Sequence, residues 1–204
     1  KSMSHKYETM NGETSRASIG ADIASSKGIL VVVSAGNEGN GSWKYIGAPA
    51  DAKNVLSVGA LDRAGIRTDF SSQGPTVDGR VKPNVMAKGG KTTVGSLYSY
   101  KAETSDGTSF ASPVMAGMVT SLWQAFPDKT NDEIRAAIEQ SSDKYDVPDN
   151  KYGHGTPDFY KAYRILSGEK NVKSKTKERP GLVKRSFVEA LKAAAQGDGK
   201  KVRP

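Results

Sequence analysis

Cysteine is absent from this chain of 204 residues, and histidine occurs only at His5 and His154. The lack of cysteine excludes disulfides, thiol nucleophiles and cysteine metal sites. Long apolar runs are missing as well, since none approaches the roughly 18 residues that a membrane-spanning helix needs. The sequence also contains no zinc-ligand cluster, phosphate-binding loop or EF-hand. We therefore predict no membrane span, and the residue pattern itself indicates no metal site.

Charge is distributed unevenly along the chain. The formal net charge is +8, and residues 168–204 contribute +7 of it through eleven Lys/Arg against four Asp/Glu. The remainder is nearly neutral, and its composition is that of an ordinary globular domain. We predict one folded unit over residues 1–167, followed by a basic linker and a short amphipathic helix over residues 168–204.

Helix and strand patterns alternate in the first unit. Arg16–Lys27 has helical spacing, with Ile19 and Ile23 as its apolar positions, and Gly28 stands where helices commonly end. Ile29–Val33 is a continuous aliphatic run, typical of a strand covered on both faces in a parallel sheet. Two more strands are predicted, at Val55–Ala60 and Asn84–Ala87. This order predicts a doubly wound parallel α/β sheet, in which sites form where strand ends meet helix starts.

Three helices are predicted in the second half of the unit. Thr108–Phe126 is apolar on nearly every face, which favours a buried helix. Asn131 is predicted to cap the next helix, whose inward positions include Ile134 and Ile138. Thr156 and Pro157 are predicted to start the last helix as its N-cap and first residue.

The stretch DGTSFASPVMAG places Ser109 in the first turn of the apolar helix. Unpaired N–H groups and the positive end of the helix dipole favour negative charge at that position, and Gly107 leaves room for a substrate carbonyl. The alternative is that Thr108 or Ser109 only caps the helix. Asn37, in SAGNEG directly after the first strand, can donate its amide to an oxyanion or can belong to an ordinary turn.

Five motifs in order extend this pattern: VVVSAGNEGN, APADAKNVLSVGALD, TDFSSQGP, KPNVMAKGG and DGTSFASPVMAGMVTSL. Together they resemble the subtilisin-like serine proteases, or subtilases, over about Thr14 to Leu166. The resemblance implies a subtilisin-like fold, with residues 1–167 forming the C-terminal half of a catalytic domain. It also implies a serine endopeptidase that acts through an acyl-enzyme.

The resemblance assigns roles to particular residues. It makes Ser109 the nucleophile and Asn37 the side-chain donor of an oxyanion hole, whose second donor is the N–H of Ser109. It places Pro49 near the usual cis proline of the family. The residues that it implies for substrate binding are Ser34, Ala35, Gly36, Gly107 and Thr108.

The catalytic aspartate and histidine of the family should precede the serine, yet neither motif stands before Asn37. We interpret His5 as a solvated side chain. His154, in GHGT, follows the serine and precedes an amphipathic helix, so we assign it no catalytic role. Because the chain starts with lysine and no signal segment follows, we expect an upstream N-terminal half that carries both residues, and an inactive chain without it.

The resemblance further implies a polypeptide substrate and a secreted or cell-envelope location. It allows calcium as a cofactor without assigning it a site in this chain. Two alternatives to the protease remain, a non-catalytic subtilase-like scaffold and a module that binds polyanions through the basic tail. Nucleic acid is not an expected partner, because no aromatic residues are interleaved with the basic ones to stack on bases.

Overall fold

The computed structural model describes residues 6–168, so His5 and the basic segment beyond Gly168 lie outside the described residues. A short 3-10 helix, Tyr7–Thr9, comes first. The remaining elements in chain order are α1 (Arg16–Ser26), β1 (Val32–Ser34), β2 (Leu56–Leu61), β3 (Val85–Lys88), β4 (Thr92–Gly95), β5 (Ala102–Ser105), α2 (Thr108–Gln124), α3 (Asn131–Ser141) and α4 (Phe159–Ser167).

The central sheet is parallel, with the strand order β1-β2-β3. Val33 pairs with Ser57, and Val58 pairs with Val85. All three strands lie where the aliphatic runs predicted them, displaced by one to three residues. The prediction of a parallel α/β sheet is confirmed. Because the strands are parallel, the loops that follow them meet at one edge of the sheet.

Helix α2 packs across all three strands of this sheet, and α3 and α4 pack against each other and against α2. Gly89, just after β3, permits the close approach of α2. A Cβ at this position would lie 2.7 Å from the Ala60 Cβ and 3.2 Å from the Ala111 Cβ. The core between sheet and helices consists of buried aliphatic residues, among them Leu56, Val58, Val85, Met115, Val119, Leu122, Ile134 and Ile138.

The predicted burial of two elements is wrong. β1 is partly buried and pairs on one side only, with β2, so it is an edge strand among the described residues. On α2, the side chains of Val114 and Met118 are 47% and 36% exposed. Ile19 and Ile23 of α1 are exposed as well, at 40% and 56%. These elements carry more apolar side chains than residues 6–168 bury.

The predicted cap of α3 is wrong by one residue. Thr130 is the N-cap, because its hydroxyl accepts from the Glu133 N–H while the Glu133 carboxylate accepts from the Thr130 N–H. Asn131 is instead the first helical residue, and its amide donates to the Ser25 carbonyl at 2.9 Å. The side chain predicted to cap α3 therefore ties that helix to the end of α1.

The predicted start of α4 is also wrong. Asp158 caps the helix by accepting from the N–H groups of Tyr160 and Lys161. Thr156 lies before the helix because its N–H donates to the Asp143 carboxylate and its neighbour Gly155 accepts from Met86. These tertiary bonds hold the chain outside the helix until Asp158.

The antiparallel hairpin formed by β4 and β5 was not predicted. Its strands are mostly exposed, and the connecting residues 96–101 carry Leu97 and Tyr98 with 88% and 96% of their surface exposed. Such a sequence lacks the apolar alternation that marks a half-buried strand. The hairpin leads directly into the turn that starts α2.

Lys82 is fully buried beside the sheet. Its Nζ donates to Asn84 Oδ1 at 2.9 Å, an oxygen that also accepts from the Ser57 N–H and hydroxyl. Desolvation by burial is the main cause that lowers the pKa of Lys82 to about 7. The folded protein therefore holds this side chain neutral at a pH where the unfolded chain protonates it.

We expect the pH dependence of stability to change in Lys82→Met. Between pH 7 and 10.5 the unfolded chain binds more protons at Lys82 than the folded chain, so this residue makes the free energy of unfolding rise with pH in that window. Lys82→Met should remove that rise, and it should stabilise the protein below pH 7, where the folded chain has to bury a charged ammonium group. Urea unfolding at pH 6 and pH 10 measures both effects, with the exposed Lys161→Met as control. An equal pH dependence in Lys82→Met and the parent would contradict this account.

We also expect the isolated chain to bind the dye ANS or to self-associate, because Val114 and Met118 are exposed. The double variant Val114→Gln/Met118→Gln should bind less dye. ANS fluorescence and size-exclusion chromatography test this. A monodisperse, cooperatively melting monomer that binds no ANS would show that this surface needs no cover.

Candidate functional site

The start of α2 lies on the carboxyl end of β3. The Gly107 N–H donates to the Gly89 carbonyl at 2.9 Å, which fixes the turn before the helix. A Cβ at position 107 would lie 3.4 Å from the Phe110 ring and 3.7 Å from Asn37 Nδ2. Glycine therefore leaves the space beside the Asn37 amide open.

Asn37 follows β1 and contacts the first residue of α2. Its Oδ1 accepts from the Thr108 N–H at 2.9 Å and from the Thr108 hydroxyl at 2.8 Å. The Gly36 N–H in turn donates to the Thr108 hydroxyl at 3.2 Å. Since both Thr108 donors go to the amide oxygen, the amide nitrogen of Asn37 is left to face the open side at Gly107.

Ser109 is exposed at the second position of α2. The Thr108 N–H bonds to Asn37 and the Phe110 N–H bonds to the Gly107 carbonyl. Within residues 6–168, no acceptor takes the N–H of Ser109. The structure thus places the exposed Ser109, with its unpaired N–H, directly after Thr108, which binds the Asn37 carboxamide.

The segment predicted to bind substrate lies next to this point. Ser34 ends β1, and Ala35, which is fully buried, donates from its N–H to the Val58 carbonyl. Gly36 has a φ of 112°, and a Cβ there would lie 2.9 Å from Ser72 Oγ. The Gly47 N–H donates to the Ala35 carbonyl, close to the Ala48–Pro49 peptide, which is cis.

The structural role of Thr108 could not be predicted from the sequence. The resemblance places it among the substrate-binding residues, and the pattern alone allows it to be a helix cap. In the structure it is fully buried, and its side chain supports Asn37. The only signal in the sequence is a hydroxyl between Gly107 and Ser109, which does not identify a partner 71 residues away.

His154 lies at the opposite end of the sheet. Its N–H donates to the Asn84 carbonyl, just before β3, whereas Gly89, just after β3, contacts the start of α2. At 3.3 Å per residue the strand separates these points by roughly 16 Å. The ring of His154 packs against Tyr145, with 5.5 Å between ring centroids.

The described residues contain no group of three or more His, Asp or Glu side chains that could hold a metal ion. The calcium that the resemblance allows therefore has no acidic cluster to bind it in this part of the chain. Over the same residues, no helix is long and apolar enough to cross a membrane.

We expect Thr108→Val to loosen the site. The variant loses the hydroxyl that donates to Asn37 and leaves the Gly36 N–H without its acceptor, which should cost about 1–3 kcal/mol of unfolding free energy. Thr108→Ser keeps the hydroxyl and should retain most of this unfolding free energy. The matched control is Thr120→Val, whose exposed hydroxyl bonds only within α2, to Ala116. Equal denaturant midpoints for the Thr108→Val and Thr120→Val variants would remove Thr108 from this role.

Comparison with known proteins assigns the family. The subtilase family profile matches residues 2–155. Serine protease AprX of Bacillus subtilis is 36% identical over 155 residues, covering 64% of this chain and 34% of the relative. Subtilisin Savinase of Lederbergia lenta is 36% identical over 132 residues, covering 65% and 45%. The structure of the patellamide maturation protease PatA matches with a TM-score of 0.62 and 25% identity, covering 78% of this chain and 59% of that one. The chain spans less than half the length of these two curated relatives, and it belongs to the subtilase family.

Proposed function

We propose that this chain is the serine-bearing half of a catalytic domain that hydrolyses peptide bonds in polypeptides. The observation that carries the proposal is that Thr108 binds the Asn37 carboxamide beside Ser109, which is exposed and whose N–H has no acceptor among the described residues. Hydrogen-bond donors preset around the point where negative charge develops usually give the largest stabilisation of the transition state in acyl transfer. The family membership supports the same reaction.

In the proposed reaction, Ser109 Oγ attacks the carbonyl carbon of the scissile peptide bond. The electron pair of the C=O bond moves to the oxygen, which accepts hydrogen bonds from Asn37 Nδ2 and from the Ser109 N–H. The Thr108 donors hold the amide oxygen of Asn37, so that its NH₂ group points to the oxyanion. A general base takes the proton of the Ser109 hydroxyl and passes it to the nitrogen of the leaving amine as the C–N bond breaks. Water then attacks the acyl-enzyme carbonyl, which releases the carboxylic acid and returns a proton to Ser109 Oγ.

A general base is required, because a serine hydroxyl is a weak nucleophile at neutral pH. Within the described residues His154 lies at the far end of β3 and cannot serve. In subtilisin, itself a member of this family, loss of the whole triad lowers turnover by about 2 × 10⁶. We therefore propose that the catalytic aspartate and histidine come from a segment outside this chain.

Two open surfaces suit such a segment. The outer edge of β1 has no strand partner among the described residues, and the stripe of α2 at Val114 and Met118 is exposed. Strands of parallel sheets are normally covered on both faces by helices. A complementing half that adds a strand beside β1 and packs on α2 would satisfy both surfaces and bring its histidine to Ser109.

The location is part of the same proposal. Relatives of this chain include the halolysin-like extracellular serine protease Nep of Natrialba magadii, which is 30% identical over 131 residues. We propose secretion or attachment to the cell envelope, where polypeptide substrates are met outside the cytoplasm.

Labelling with a fluorophosphonate probe tests the proposal. The chain fused to an upstream subtilase segment with the aspartate and histidine motifs should label at Ser109, whereas the chain alone should label far more slowly. Ser109→Ala should abolish labelling, and Asn37→Ala should lower turnover of a peptide substrate by roughly 10²–10³, the loss known for a subtilisin oxyanion donor. Ser121→Ala, whose hydroxyl bonds only to Gly117 within α2, is the matched control.

Absence of labelling would contradict the proposal. If the fused protein and the chain both fold, as judged by circular dichroism, and neither labels, the protease proposal fails. The chain would then be a non-catalytic subtilase-like scaffold.

A further inference from the structure

A cleft of about 650 Å³ opens between the loop after β2 and the turn from β3 into β4. This volume lies within the range of sites that hold small ligands or side chains. Three cationic side chains line it, those of Arg63, Lys88 and Lys91, together with threonine hydroxyls and the carboxylates of Asp62 and Asp106.

The two carboxylates are already engaged by the backbone. Asp62 Oδ1 accepts from the N–H groups of Ala64 and Ile66 at 2.8 and 2.9 Å. Asp106 Oδ1 accepts from the Lys91 N–H at 2.7 Å.

The cations of the cleft have no such partners. Among the residues that the structure describes, the side chains of Arg63, Lys88 and Lys91 make no ion pair. Three cations and two carboxylates line the cleft, which gives it a net charge of +1, and its cations are free to pair with an anionic ligand.

The cleft adjoins the catalytic turn. Asp106 stands three residues before Ser109, so the two Cα atoms are at most about 11 Å apart. An extended polypeptide advances about 3.3 Å per residue. A substrate bound at Ser109 would thus reach the cleft with its second or third residue away from the scissile bond.

The order of the loops gives the direction. Along the carboxyl edge of the sheet, the loop after β1 carries Asn37, the loop after β2 carries Asp62 and Arg63, and Lys88 ends β3. Ser34–Gly36 lies at the β1 end, and the resemblance to subtilases implies that this segment holds the substrate residue just before the scissile bond. The cleft lies at the β2 and β3 end, on the side of the leaving group.

We infer that the cleft accepts an acidic side chain of the substrate, two or three residues beyond the scissile bond. Arg63, Lys88 and Lys91 are the specificity residues, and aspartate or glutamate is the chemical class they select. The statement that the acidic side chain lies beyond the scissile bond rests on the proposed function. The ability of the cleft to bind an acidic peptide is independent of that function.

Cleavage by the fused protein tests the selectivity. Two peptides are compared that differ only in carrying Glu-Glu or Gln-Gln at the second and third residues beyond the cleaved bond. We expect kcat/KM to favour the acidic peptide about three- to tenfold at low salt, since each exposed ion pair contributes modestly. The preference should shrink at 0.5 M NaCl, because salt screens exposed charges. Lys88→Gln/Lys91→Gln should abolish it.

A control variant removes two positive charges from a part of the chain outside the cleft. Lys200→Gln/Lys201→Gln lowers the net charge of the chain by two, as the cleft variant does, but changes the basic tail. It should keep the preference for the acidic peptide. If both double variants lose it equally, long-range attraction by the net charge explains the preference and the inference is overturned.

Binding to the 204-residue chain separates this inference from the protease proposal. Fluorescence anisotropy with a labelled Ala-Ala-Glu-Glu peptide needs no activity, and Lys88→Gln/Lys91→Gln should weaken binding severalfold. Probe labelling of the fused protein at Ser109 without any acidic preference would overturn the inference and leave the protease proposal intact. Acidic-peptide binding that depends on Lys88 and Lys91, together with a folded fused protein that does not label, would support the inference and contradict the protease proposal.

Discussion

The fixed orientation of one side-chain amide is the constraint on which the site depends. Asn37 stands at the end of an edge strand, and Thr108 stands at the start of the helix that crosses the sheet. The two bonds from Thr108 to the amide oxygen join these elements and decide which end of the amide faces Ser109. Without them the Asn37 amide could turn freely, and its NH₂ group would be no better placed than water.

The surrounding fold makes this orientation possible through small residues. Gly89 allows α2 to approach the sheet, and Gly107 keeps the space beside Asn37 Nδ2 open. The bond from the Gly107 N–H to the Gly89 carbonyl then links the end of β3 to the start of α2. Charged side chains take no part in these contacts. Backbone N–H groups and the helix dipole contribute positive potential at Ser109 that needs no counterion and does not titrate near neutral pH.

Sequence patterns predicted the strands because these depend on local features. A continuous aliphatic run forms a strand of a parallel sheet wherever it falls, and polar residues that follow such strands necessarily meet at one edge. The helix caps were mispredicted because tertiary bonds decide them. Asn131 cannot cap α3 while its amide donates to Ser25, and Thr156 cannot start α4 while Asp143 holds its N–H. The hairpin before α2 escaped prediction because its exposed strands carry no apolar alternation.

The difference between predicted and observed burial is itself informative. The sequence of α2 is apolar on nearly every face, and β1 has the composition of a strand covered on both faces, although it is only partly buried. In the structure one stripe of α2 and one edge of β1 are open. Exposed valine and methionine weaken solubility and add nothing to the core that residues 6–168 form. Their presence is explained if the folding unit is larger than these residues, with further chain packed on α2 and paired with β1. The same unit would then supply the base that Ser109 lacks, so that one packing surface completes both the core and the chemistry.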